Sequence, residues 1–281
     1  MYAHQLMLET ARHESPELSW EMVTRDAAPR LRGLVRNYTG YVERSAAPLC
    51  RREVPSADVT LILSPETDLR LPGGRHRSFV AALHDSHTLV EHDGRQEGIE
   101  VRLTPLGARA LFGLPMHELT NRVVDLDALI GRRGDELIER LWDTGSWKRR
   151  FAVLDEAIAA RFERAPRPES ELAWAWGRMR ASAGRASVSG LAGELGWSHR
   201  RLIARFREGI GLAPKTMGRV LRFERVSRLL QQVEEPRLAE VALDCGYYDQ
   251  AHLNRDFRQF AGTTPGGYLA RRLPPGGGVE G

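Results

Sequence analysis

The 281-residue sequence has only two cysteines, Cys50 and Cys245, which excludes a disulfide framework and a cysteine-based structural zinc site. No run of 18 apolar residues occurs, and the opening MYAHQLMLET lacks a basic stretch followed by an apolar one. Neither a membrane span nor a secretory signal is therefore expected, and the sparse cysteines fit a reducing, cytoplasmic compartment. Lysine is almost missing: every basic residue except Lys148 and Lys215 is arginine. A GC-rich genome produces the same bias, so arginine abundance alone says little about function. What is present rules out global disorder, because 42% of the residues are hydrophobic. The length suits two domains of about 100–150 residues each.

The net charge of +4 is small, and its distribution carries more meaning than its size. Residues 165–281 hold 18 Lys+Arg against 12 Asp+Glu, whereas residues 1–164 hold 23 against 25. A genomic bias would raise arginine in both parts. The basic excess lies wholly in the C-terminal part, which points to a polyanionic partner there.

Periodicity divides the chain the same way. Residues 1–20 show no clear period, and strand-like segments follow at 31–36, 59–63 and 99–103, punctuated by Pro and Gly. From Pro105 the period becomes helical, with amphipathic segments at 105–112, 125–129, 135–141 and 147–162. The stretch 163–169 (ERAPRPE) combines two prolines with four charges and is the expected linker. Beyond it, helices are expected at 169–183, 187–195, 198–208, 214–231, 237–245 and 249–260, with a disordered tail over 273–281.

Two stretches of that C-terminal part repeat each other. Val188–Gly196 aligns with Leu238–Gly246, so that Leu191-Ala192 falls on Val241-Ala242 and Gly196 on Gly246. Each glycine is followed by an aromatic (Trp197, Tyr247), then a capping residue (Ser198, Asp249), then Leu-x3-Phe (Leu202/Phe206, Leu253/Phe257). The small alanine lets a second helix cross closely, and the glycine permits the positive φ of a sharp turn. The capping residue starts the next helix, and Leu and Phe four apart share the face that packs back. This is a helix–turn–helix occurring twice, about fifty residues apart.

Those residues, with Gly262-Thr-Thr-Pro-Gly-Gly-Tyr268 behind them, resemble the AraC/XylS family of bacterial transcription regulators over roughly residues 170–272. The segments that carry the resemblance are 246–265 (GYYDQAHLNRDFRQFAGTTP) and 191–206 (LAGELGWSHRRLIARF). The resemblance implies a seven-helix unit whose two recognition helices enter successive major grooves, reading a long asymmetric site. The segment 102–115 (RLTPLGARALFGLP) also resembles a motif of a poorly characterised domain type that precedes such modules. Domains in that position are often cupin-like. The implied architecture is an α+β domain over 1–164, cupin-like β-structure plus helices, then an all-α seven-helix domain over 165–272 with two helix–turn–helix motifs.

With Leu202 and Phe206 facing inward, the outward positions of the first recognition helix are His199, Arg200, Ile203, Ala204 and Arg207. By matching position in the family, Arg200 and Ala204 fall where bases are contacted, and in the second helix Gln250, Ala251 and Arg255 occupy the corresponding face. Arginine suits guanine, glutamine suits adenine, and alanine admits close approach or a thymine methyl. His199, Arg201, Arg205, Arg207, His252, Asn254 and Arg258 are the phosphate-contacting or flanking positions. Gly196 and Gly246 make the turns.

Sites for other chemistry find little support. His84, Asp85, His87, Glu91 and His92 do not share one strand face and lack an H-x-H core with a carboxylate beyond, so they are read as ordinary surface or loop residues. Cys50 has no triad spacing, and Cys245 is read as a small core residue. Trp20, Tyr38, Tyr41 and Phe79 are read as core more readily than as the lining of an apolar ligand pocket. No enzyme, metal or cofactor is expected. Double-stranded DNA is the expected partner. RNA polymerase, a small-molecule effector held by residues 1–164 and a second copy of the chain remain candidates. An architectural DNA-binding protein, or an enzyme fused to a DNA-binding module, stays open as an alternative, as does activation against repression.

Overall fold

Glycine and alternating strands explain most of the N-terminal architecture, seen in a computed structural model that describes residues 7–66, 68–232, 236–271 and 279. The strands are β1 (Glu9–Glu14), β2 (Leu18–Asp26), β3 (Val35–Ser45), β4 (Leu49–Glu53), β5 (Val59–Leu63), β6 (Leu69–Leu71), β7 (Gly74–His76), β8 (Phe79–Ala81), β9 (Thr88–His92), β10 (Arg95–Leu103) and β11 (Val123–Asp125). They form two antiparallel sheets, in the orders β1-β2-β3-β10-β5-β8-β11 and β4-β9-β6-β7. On β10 the two-residue period separates two environments: Ile99, Val101 and Leu103 are fully buried, while Glu100 and Arg102 face a cavity.

Two sequence expectations are corrected here. Residues 1–20 hold β1 and the start of β2, which showed no period because β1 is an edge strand exposed along nearly its whole length. The segment 31–36 is not one strand: Pro29–Leu31 forms a 3-10 turn, Gly33 takes φ +85, and the strand begins at Val35.

The N-terminal helices are α1 (Pro105–Phe112), α2 (Leu126–Ile130), α3 (Arg133–Trp142) and α4 (Trp147–Phe162). Thr104 caps α1 through its hydroxyl, which accepts from the Gly107 N–H at 3.1 Å, and Pro105 opens the first turn. Gly107 lets this turn lie against the backbone of Leu34, whose carbonyl oxygen a β-carbon would overlap. Gly107→Ala is therefore expected to cost about 1–3 kcal/mol through overpacking. A lower urea midpoint with an unchanged slope would show it. Helix α4 closes the core with Asp155, which is buried and accepts from the guanidinium of Arg25, the Tyr38 hydroxyl (3.0 Å) and the Ala28 N–H (3.0 Å).

Residues 163–169 form an irregular connection, as the prolines imply, and seven helices follow among the described residues: α5 (Ser170–Ala181), α6 (Val188–Glu194), α7 (His199–Gly209), α8 (Pro214–Gln232), α9 (Leu238–Asp244), α10 (Gln250–Ala261) and α11 (Pro265–Ala270). The β-rich part followed by this helical part is the architecture expected. The apolar core does not stop at the connection, because buried side chains from both parts belong to one continuous cluster. Of the expected tail 273–281, only Val279 lies within the described residues; it is buried, and its carbonyl accepts from the Arg52 N–H at 2.8 Å. For that residue the expectation of disorder is corrected.

Candidate nucleic-acid interface

The two repeats fold as equivalent units. Gly196 and Gly246 turn with φ +63 and +82, conformations that favour glycine. Ser198 Oγ accepts from the Arg201 N–H at 3.2 Å, and Asp249 Oδ1 accepts from the His252 N–H at 2.7 Å, so the second helix of each unit, α7 and α10, is capped by the residue its sequence offers. Leu202, Phe206, Leu253 and Phe257 are fully buried, as are Ala242 and Cys245, and Trp197 and Tyr247 are buried behind the turns. Helix α8 joins the units, and its Phe223 packs against Phe257 and Phe260 at ring separations of 4.9 and 5.3 Å. Cys245 is thus the core residue expected; burial pushes its thiol up and keeps it protonated.

This packing leaves one face of α7 and one face of α10 open. His199, Arg200, Arg201, Ala204 and Arg207 are exposed on α7, as are Gln250, Ala251, Arg255 and Arg258 on α10. Among the described residues, Arg200, Arg207, Arg255 and Arg258 make no ion pair, whereas other arginines of the same domain are engaged. Arg201 is partly committed, its guanidinium 4.5 Å from the centre of the Trp197 ring. Arg205 is turned inward and held by Glu169 and Glu208, both at 2.6 Å, so it is not free for a phosphate in this arrangement. His252 stacks edge-on against Tyr247, and Asn254 is half-buried with its side-chain oxygen unpartnered. Tyr248 was not singled out from sequence, yet it is 86% exposed immediately before α10. An aromatic beside a repeat's buried aromatic, with no counterpart in the first repeat, was the available signal.

A second set of contacts was invisible in the sequence. Arg109 of α1 donates to the Glu208 carbonyl at 2.7 Å and to its carboxylate at 2.8 Å, at the C-terminal end of α7. The same pair holds the Glu208 carboxyl below its ordinary value. Arg52 of β4 donates to the Ala261 carbonyl at 3.0 Å, at the C-terminal end of α10. Helices α7 and α10 are thus each gripped by an N-terminal arginine at the end where the helix dipole is negative and carbonyls lack intrahelical partners. Asp58 adds a third tie, accepting from Arg36 at 3.0 Å and from Arg180 of α5 at 3.1 Å. The Arg109–Glu208 pair is one-third exposed, so its net worth is about 1 kcal/mol or less. Arg109→Ala is expected to speed amide hydrogen exchange in the last turn of α7 by up to roughly fivefold while the rest of the domain is unchanged. Uniform acceleration across the chain would mean global destabilisation instead.

The histidine-rich segment needs one correction. His84 lies in a loop, but His92 is a buried residue of β9 with Nε2 3.1 Å from Glu43 Oε1. Among the described residues, no group of three or more His, Cys, Asp or Glu side chains is arranged to hold a metal ion. Of the aromatics, Trp20, Tyr38 and Phe79 are core, and Tyr41 and Phe79 line the cavity of 640 Å3 that Glu100 and Arg102 also face.

Residues 191–271 match the profile of a family described as a helix-turn-helix domain, and residues 24–125 match one described as a domain of unknown function (DUF6597). No curated protein matches the chain. Among solved structures, ToxT from Vibrio cholerae O395 is similar at 11% identity, covering 79% of this chain and 96% of its own, with a TM-score of 0.44. A transcriptional regulator described as AraC-type DNA-binding domain-containing, from Chromobacterium violaceum, is similar at 29% identity over 38% of this chain and 95% of its own, with a TM-score of 0.34. A ToxT from Vibrio cholerae strain SCE256, described as bound to an unsaturated fatty acid, shows 10% identity over 92% of this chain and 97% of its own, with a TM-score of 0.46.

Proposed function

We propose that this chain is a transcription regulator of the AraC/XylS family that sets α7 and α10 into successive major grooves on one face of DNA under the control of residues 1–164. The observation that carries the reading is the pair of capped helices whose outward faces bear unpaired Arg200 and Arg255 beside Ala204, Gln250 and Ala251. Arginine and glutamine at these positions read base edges, and the two alanines keep the helix backbone close to them. His199, Arg207, Arg258 and the helix N-termini then fix register on phosphates, with Arg201 held beside Trp197 for the same purpose. Arg205, His252 and Asn254 support the helices more than they contact DNA, because their side chains are engaged or half-buried.

Control through residues 1–164 is supported by the grip of Arg109 and Arg52 on the ends of the two recognition helices, since a shift of the N-terminal domain moves both. No helix among the described residues is long and apolar enough to cross a membrane, and a cytoplasmic site of action accompanies the reading. Recovery of bound promoter fragments from genomic DNA, followed by titration of the best site against random duplex at two salt concentrations, tests it. A regulator binds its site roughly 10³-fold or more tightly than random DNA. Equal affinity for both would favour the architectural alternative.

A further inference from the structure

The cavity lies where both sheets meet the helical domain: β3, β4, β5, β9 and β10 contribute to its wall, and Glu224, Ser227 and Gln231 of α8 and Tyr268 of α11 complete it. Its 640 Å3 is in the range of small-molecule sites. The charges around it are unevenly satisfied. Glu43 is taken by Arg51 at 2.5 Å and His92 at 3.1 Å, and Asp58 by Arg36, Arg180 and, at 3.6 Å, Arg102.

Three carboxyls remain. Glu53 makes no hydrogen bond or ion pair among the described residues, although its side chain faces the cavity. Glu100 approaches only Arg102, at 3.8 Å, and that guanidinium lies nearer Asp58. Glu224 reaches only Arg228, at 3.6 Å, whose side chain is largely in solvent, and a backbone N–H at Ala57. Burial pushes the Glu100 and Glu224 carboxyls up, and Glu53, exposed at the end of β4, raises Glu100 further. Beside them Ser227, more than nine-tenths buried, presents a hydroxyl with no partner. His84 adds no positive charge, because burial favours its neutral form. The lining turns apolar beside Glu100, where its cross-strand partner Ile62 and, next to that, Phe79 join Leu71 and Val123.

The lining sets five carboxyl groups against three guanidinium groups, Arg51, Arg102 and Arg228, a balance that disfavours an anion, and a bare metal ion finds no converging set of ligands among the described residues. We propose that the cavity binds an organic cation, an amine or guanidine on an aliphatic or aromatic body, with Glu53 and Glu100 facing the charge, Ser227 accepting a hydrogen bond, and Ile62 and Phe79 covering the body. Contact with Glu224 and Ser227 places the ligand against α8, the helix that joins the two helix–turn–helix units, so occupancy sets their relation to the N-terminal domain. This rests on the reading that residues 1–164 control DNA binding.

The test uses the full chain with phenethylamine, tyramine and agmatine, set against phenethyl alcohol and 3-phenylpropionate, by calorimetry and thermal melting. At least one of the amines is expected to bind tenfold or more tightly than the alcohol and to raise the Tm, and the carboxylate is expected not to bind. The double substitution Glu53→Gln/Glu100→Gln removes that response. It also raises the Tm of the ligand-free protein at neutral pH, because Glu100, raised above its ordinary 4.5 by burial, contributes stability only at low pH and loses it as it ionises. Silence of all three cations, equal binding of amine and alcohol, or an undiminished response in the double variant overturns the inference. Promoter binding measured on the same samples separates the two readings. Retained DNA binding without an amine response overturns the cavity inference alone. Absent DNA binding overturns the regulator reading, and amine binding that leaves DNA affinity unchanged overturns the coupling through α8.

Discussion

Asp155→Ala is expected to destabilise the protein by about 3–5 kcal/mol, the cost of leaving one member of a buried ion pair behind. Asp155 and Arg25 are both 5% exposed, so water cannot replace the missing carboxylate. Arg25 is further enclosed by the rings of Tyr38 and Phe151, whose centres lie 5.3 and 5.5 Å from its guanidinium carbon. The substitution also strips the Tyr38 hydroxyl and the Ala28 N–H of their acceptor, and burial keeps that hydroxyl un-ionised. One hydrogen bond from Arg25 survives, to the Phe151 carbonyl at 3.2 Å. Chemical denaturation should show a fall in midpoint of that size. Arg25→Met combined with Asp155→Leu should recover most of it, because an apolar pair of similar volume leaves no orphaned charge. A single-variant loss below about 1 kcal/mol would mean that water reaches Arg25 and that the pair is not a structural hub.

That hub joins residues 130 positions apart, and nothing at positions 25 or 155 announces it. The sequence was legible wherever structure depends on near neighbours. Helix α4 begins at Trp147 because Ser146 caps it, and α1 because Thr104 and Pro105 do. Both turns between the paired helices sit at their glycines. The outward face of α7 was readable for the same reason: once Leu202 and Phe206 are known to face inward, the helical period fixes which side Arg200 and Ala204 occupy. Long-range pairing left no such trace. Arg109 and Arg205 look alike in sequence, yet one clasps the end of α7 from another domain and the other turns back onto Glu169 and Glu208. The edge strand β1 escaped because both its faces meet solvent, which erases the alternation that marks a strand. His92 was taken for a surface residue because its buried partner, Glu43, lies on another strand of the other sheet.

The double substitution Arg200→Ala/Arg255→Ala should produce the largest functional effect. A bidentate arginine–guanine contact is worth about 1–3 kcal/mol, or roughly five- to 150-fold in affinity, and each loss falls on the base pair that arginine faces. The two residues stand on different helices, both exposed and neither in an ion pair among the described residues, so neither removal disturbs the other's surroundings. Their effects should therefore add, giving a combined loss of about 30-fold to 10⁴-fold on the cognate promoter. Random DNA should lose much less, because there each arginine counts only as one positive charge near phosphate and lowers the salt slope by about one. Arg258→Ala supplies the contrast: it lies on α10 next to the second contact face, and its removal should weaken cognate and random DNA by similar factors. Competition titrations on both duplexes distinguish these patterns. If the double variant loses cognate and random affinity in equal measure, Arg200 and Arg255 hold the backbone alone, and base reading must come from Gln250 and the residues around it.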